Sequence, residues 1–254
     1  MIVHHQRIKV LIVSILLLAF GCHPAAQRNV DPRPDIARHP ELWKVLGKSV
    51  NEQPIYYYEH GESDDVALVF GCTHGDEQIT GQVVIRLAEW FAFQRTDSVR
   101  RKLIFVPILN PDGVARGTRT NARGVDINRN FPTLNWSPIA TQDRYPPGPS
   151  PASEPETQHV LGLLSRHNPR LIISLHAQLH MVNYDGPAKD LAERLAAYNG
   201  YRVSQDIGYP TPGSLGTYAG VERNIPIITL ELPSVSVDEA WEQNRIGLVE
   251  VLRR

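Results

Sequence analysis

His74 and Glu77 stand three apart, directly after the apolar run Val66 to Gly71 and directly before an amphipathic stretch. At a strand-to-helix junction that spacing lets an imidazole nitrogen and a carboxylate converge on one point. These are two of the three protein donors that a catalytic zinc uses, its fourth position being left for water. The pair alone is a common coincidence, so a third donor matters. His176 follows the run Leu171 to Leu175, where a buried imidazole has few partners, and His180 in the next loop competes for the same role. Glu231 lies inside another apolar run, Ile225 to Leu232. An unpaired carboxylate there is expensive to bury unless a cation or a bound water is near. Cys72, two residues before His74, reads either as a thiolate donor or as a small buried filler.

These residues need a frame, and the periodicity supplies one. Val45 to Val50 and Ile55 to Tyr58 read as a hairpin turning at Asn51-Glu52-Gln53-Pro54. Val66 to Gly71, Leu103 to Leu109, Leu171 to Leu175 and Ile225 to Leu232 read as strands buried on both faces. Between Glu77 and Phe93, Val83, Val84, Leu87, Trp90 and Phe91 fall on one helical face. Ser153 with Glu156, and Ser236 with Glu239, have the spacing of helix-starting capping boxes. Alternating buried strands and helices predict a single α/β domain: a twisted, mixed but mostly parallel sheet with helices on both faces. Ligands of such sheets bind beyond the carboxyl ends of the strands, where His74, His176 and Glu231 cluster.

Composition narrows the partners. The 254 residues carry 26 Lys and Arg against 27 Asp and Glu, which excludes the basic excess of a nucleic-acid binder. Two cysteines exclude a disulfide framework and a four-thiolate metal site, whereas ten histidines leave a histidine-based one open.

The segment between the first two donors and the third is more specific. Asn110-Pro111-Asp112-Gly113 is followed by Gly124-Val125-Asp126-Ile127-Asn128-Arg129-Asn130-Phe131-Pro132, then by Ser174-Leu175-His176 and the strand residue Glu231. With His74-x-x-Glu77, this order resembles the zinc carboxypeptidase superfamily from about Val45 onward. Within it, Asn135-Trp136, Pro151 to Thr157, Thr211 to Gly216 and Glu231-Leu232-Pro233 are most similar to the murein tripeptide amidases, which cut γ-D-glutamyl-meso-diaminopimelate. The resemblance implies one Zn²⁺ per chain on His74, Glu77 and His176, with Glu231 as the general base. It also implies an oxyanion-stabilising Arg116, a carboxylate grip by Asn128 and Arg129, and a mobile-tyrosine position near Tyr209. Ala177 departs from the pattern, since familiar members have Asp directly after the strand-end histidine. The function expected is cleavage of an amide bond in murein peptides. General carboxypeptidase or N-acyl amino acid deacylase activity is the alternative, and a non-catalytic peptide-binding lipoprotein is disfavoured by the retained base. The oligomeric state is left open.

The amino-terminal end reads as an address. Arg7 and Lys9 precede the apolar run Val10 to Phe20, and Leu18-Ala19-Phe20-Gly21-Cys22 resembles a bacterial lipobox. The expected organisation is a signal peptide over 1–21, a lipid-anchored tether over 22–41 starting at Cys22, and a catalytic domain over 42–254. The protein would then be exported and held by lipid on the periplasmic side of a bacterial membrane; a plain signal peptide would leave it soluble there. Removing 1–21 takes away Arg7 and Lys9, giving 24 − 27 = −3.

Overall fold

The computed structural model describes residues 31–94 and 99–253, so the signal-like run and Cys22 lie outside the described residues. Eight strands form one sheet: β1 (Lys44–Lys48), β2 (Pro54–His60), β3 (Val66–Phe70), β4 (Lys102–Val106), β5 (Leu171–Ala177), β6 (Met181–Asp185), β7 (Arg202–Ser204) and β8 (Ile227–Leu232). Their order is β1-β2-β4-β3-β5-β8-β6-β7. The central four, β4, β3, β5 and β8, run parallel. The β1–β2 hairpin joins one side antiparallel, and β6 closes antiparallel onto β8 on the other. This is the mixed, mostly parallel sheet that the apolar runs predict.

Among the described residues six α-helices complete the fold: α1 (Arg33–Ile36), α2 (Gln78–Phe93), α3 (Pro111–Arg116), α4 (Pro155–His167), α5 (Lys189–Asn199) and α6 (Val237–Leu252). Alternate strand residues face opposite layers. Val69, Ile173, Leu175, Ile228 and Leu230 pack with residues of α2, α5 and α6. Leu68, Phe70, Ile104, Ile172 and Ile227 pack on the other face with α4 and with Phe131 and Leu215. Above that second packed layer, at the carboxyl ends of β3, β5 and β8, the sheet face turns polar. No described helix is long and apolar enough to cross a membrane.

Two local expectations change. Residues 32–41, placed in the tether by composition, are folded: Ile36 enters the core, and Pro32 packs against Gly81 of α2. The ordered domain therefore begins upstream of Leu42. At α4 the Ser153–Glu156 capping box does not form. Glu154 is the cap residue, and the Glu156 carboxylate is drawn instead to the amides of Asn121 and Val50. At α6, Ser236 caps as its position suggests, accepting from the Glu239 amide.

Candidate metal centre

The turn between β3 and α2 carries the first two donors. Thr80 Oγ1 accepts from the Cys72 amide at 2.8 Å and donates to the Glu77 carbonyl at 2.7 Å, bolting the turn to the helix. Gly75 lets this turn press on α3, because a Cβ there would lie 1.9 Å from the Gly113 carbonyl carbon. His176 arrives from β5, next to β3 in the sheet. His74, Glu77 and His176 each offer a ligand atom, and these atoms lie within 4.8 Å of one another.

Their orientation suits a metal. His74 Nδ1 and His176 Nδ1 face the Glu77 carboxylate at 2.8 and 3.1 Å and each other at 3.2 Å. The outer nitrogens are engaged elsewhere: His74 Nε2 with Asp126 Oδ1 and His176 Nε2 with Ser174 Oγ, both at 3.1 Å. A carboxylate only accepts, so His74 keeps its proton on Nε2 and turns the Nδ1 lone pair inward. Burial alone would raise the Glu77 and Asp126 carboxyls, yet His74 and His176 hold Glu77, and His74 with Arg119 holds Asp126, well below the usual range. Burial lowers the His74 imidazole, but Glu77 and Asp126 outweigh it and bring it up to about 9. Two buried anions thus draw positive charge to one point, and the donor set fits zinc.

Glu231 stands beside this point by register. On adjacent parallel strands, His176 pairs with Glu231 and Ser174 with Thr229, so both alternating pairs project from the same face. Burial raises the Glu231 carboxyl, and its Oε2 has no hydrogen-bond partner among the described residues. The donors and Glu231 line a cavity of about 470 Å³ shared with Arg119, Asn128, Arg129, Tyr145, Asp185 and Tyr209.

The arginine side of the cavity comes from the segment between α3 and α4, which is held by side chains. Asn121 is fully buried; its amide donates to Glu154 and Glu156, and its oxygen accepts from the amides of Arg123 and Val125. Asn128 Oδ1 accepts from the Leu215 amide at 2.9 Å. Arg129 is buried, and its Nε has no hydrogen-bond partner among the described residues. Tyr145 gives one ring to three guanidiniums, Arg119, Arg129 and Arg144, at 4.9, 4.8 and 5.3 Å. Tyr209 stacks on Tyr145 at 5.9 Å between centroids.

Of the expected residues, the structure gathers His74, Glu77, His176, Glu231, Asn128, Arg129 and Tyr209 around the cavity. Arg116 is not among them, which corrects its assignment. It ends α3 before the left-handed Gly117, and its exposed guanidinium turns to the carbonyls of Asn121 and Ala122. Arg119 lines the cavity instead, bound to Asp126 at 2.8 Å and lying 3.5 Å from Glu77. The helix stop at Gly117 was the available signal, since it turns the chain back so that the loop carbonyls of Asn121 and Ala122 take up the Arg116 guanidinium. Asp126 and Tyr145 carried no such mark. His180 is exposed, packs on Tyr201 and lies off the cavity. Cys72 is a buried thiol, its pKa pushed by burial up to about 12, with its sulfur against the start of α2.

Comparison with known proteins matches the zinc carboxypeptidase family over residues 35–237. Murein peptide amidase A of Escherichia coli (strain K12) is 33% identical over 237 residues, covering 87% of this chain and 94% of the relative. Its namesake in Vibrio campbellii is 33% identical over 220 residues, covering 82% and 86%. The crystal structure of murein-tripeptide amidase from Escherichia coli O157 superposes with a TM-score of 0.72 at 30% identity, covering 84% of this chain and 92% of that one. Carboxypeptidase A from Helicoverpa armigera, at 18% identity and a TM-score of 0.71 over 85% and 69%, shares the fold.

Proposed function

The chain belongs to the zinc carboxypeptidase family, and from that premise we propose that it hydrolyses an amide bond in murein peptides, with γ-D-glutamyl-meso-diaminopimelate as the bond cut. The reading is carried by one observation: Glu231 stands in register with His176 at the wall of the cavity that holds all three donors. The substrate class follows the amidases that match along nearly their whole length.

His74, Glu77 and His176 would hold the ion. Zinc, when bound, supplies positive charge that polarises the scissile carbonyl and acidifies a water. Glu231, desolvated and with a free oxygen, accepts the proton of the attacking water and passes it to the leaving amine nitrogen. Arg119 takes the part expected of Arg116, offering fixed positive charge to the developing oxyanion from its seat on Asp126. Arg129, with Asn128 beside it, receives the carboxylate of the released residue, and a guanidinium does this through two parallel hydrogen bonds. Tyr209, stacked on Tyr145, meets the substrate at the cavity wall.

The test is Glu231→Gln. Turnover should fall by about 10²–10⁴-fold while zinc content, measured by atomic emission, stays at one ion per chain. Zinc loss in this variant would make Glu231 a ligand and overturn the role given to it. We also propose that the protein is exported and anchored through lipid at Cys22 on the periplasmic side, on the strength of the lipobox-like Leu18 to Cys22. Cys22→Ser should abolish metabolic labelling with a fatty-acid analogue; unchanged labelling refutes the anchor.

A further inference from the structure

The two ends of the cavity differ in charge. Arg119, Arg129 and Arg144 share the Tyr145 ring at one end. The other end is built by β8 and β6, whose antiparallel register sets Glu231 opposite Met181, Thr229 opposite Asn183 and Ile227 opposite Asp185. Thr229, Asn183 and Asp185 all face the cavity. Asp185 therefore lies four strand positions, about 13 Å, from the level of Glu231. A four-carbon side chain with a polar tip fills that distance once the reach of the two carboxylate side chains is taken off.

Asp185 has no described donor. Among the described residues none forms an ion pair with it, and burial raises its carboxyl to about 6. Two glycines of the short π-helix Gly216–Val221 make room for it. A Cβ at Gly216 would lie 2.4 Å from Asp185 Oδ2, and one at Gly220 would lie 2.5 Å from Asp185 Cβ. Beside it, the Asn183 amide is spent on the carbonyls of Ser204 and Gln205, which leaves an oxygen as its remaining polar atom. This end of the cavity is rich in acceptors and, among the described residues, holds no cation.

Building on the amidase reading, we propose that Asp185 selects the released residue by pairing with an ammonium at the tip of a long unbranched side chain, and that the distal carboxylate of diaminopimelate is not required. A carboxylate at that tip meets Asp185 and the Asn183 oxygen, while the three guanidiniums are committed to the far end. Peptides releasing lysine are then substrates alongside those releasing diaminopimelate. Ala177 leaves the turn after His176 without a carboxylate, so β6 supplies the one the ammonium needs.

The experiment measures kcat/KM of the zinc-loaded protein on γ-D-glutamyl peptides releasing meso-diaminopimelate, L-lysine or L-norleucine. The lysine and norleucine pair is repeated in α-linked benzoylglycyl peptides, which change the acyl side alone, and binding of the free amino acids is followed by calorimetry. The diaminopimelate and lysine peptides should agree within about threefold, and norleucine should fall below lysine by about 10- to 100-fold. Asp185→Asn should bring the lysine-to-norleucine ratio close to one in whichever series is cut. Gly216→Ala, which crowds the carboxylate from the opposite side, should do the same if the first variant does not fold. A wild-type protein blind to the ammonium, or a folded Asp185→Asn that keeps the ratio, overturns the assignment. A diaminopimelate preference above about tenfold overturns the claim about its second carboxylate. If the α-linked series alone is cut and keeps its lysine preference, Asp185 stands and the amidase reading falls. If neither series is cut, the ratio in amino-acid binding decides for or against Asp185.

Discussion

The zinc donors and the arginines face each other across one cavity but are positioned by different means. His176 and Glu231 are placed by backbone: each sits in a parallel ladder, and strand register alone sets them side by side. Arg119, Asn128, Arg129 and Arg144 come from the segment 117–154, which has no strand and a single short 3₁₀ helix at Ile127–Arg129. That segment is held by the side chains of Asn121, Asp126 and Asn130. The centre that must keep sub-ångström geometry rests on the sheet. The groups that meet substrate rest on a polar scaffold that reaches the metal donors through Asp126 on His74 and Arg119 beside Glu77; away from those two contacts it can be altered without disturbing the metal.

Substitutions along the segment test that division. The largest effect is expected for Arg119→Ala, where kcat should drop by about 10²–10³-fold while zinc stays bound, and Arg116→Ala should match wild type. Equal losses in the two variants, measured by steady-state kinetics, would return the oxyanion role to Arg116. Next comes Arg129→Lys, which replaces a planar fork by a point charge. It should cost about 10- to 100-fold in kcat/KM, a cost that vanishes for substrates amidated at the released residue. The smallest catalytic change belongs to Asn121→Ala, whose chief result is on stability. It strands Glu154 and Glu156 without their shared donor, and calorimetry should show a loss of about 1–3 kcal/mol. Loss of zinc in this last variant would show that the scaffold and the metal centre are not separable.

The same division explains what could be read from the sequence. Strands buried on both faces announce themselves as apolar runs, and the donors sit at their ends, so the centre of the sheet and the His74–Glu77–His176 set were legible. β6 was not, because Asn183 and Asp185 interrupt it, and these are the residues it turns toward the cavity. A strand that serves a polar site loses the pattern by which strands are recognised. The arginines were harder still. Spacing along a segment held by side-chain hydrogen bonds does not say which guanidinium faces inward, so the family resemblance points to Arg116 where the structure turns Arg119 to the cavity. Glu156 was misread for a related reason: its partner is Asn121, 35 residues away, and not the nearby Ser153.

The pairing of His176 with Glu231 also bears on which changes in chain length this protein can survive. Side chains alternate along a strand, so deleting one residue between Pro226 and Glu231 would slide β8 by one step and turn every residue of it over. Glu231 would then point among Ile173, Leu175 and the residues of α2 and α6, and Leu230 would face the cavity. A lineage could lose its general base in this way with the glutamate still present in its gene. Insertions near exposed Leu134 and Ile139 have no ladder to shift. For this chain, counting residues between Ile227 and Glu231 is a better guide to retained chemistry than finding the glutamate itself.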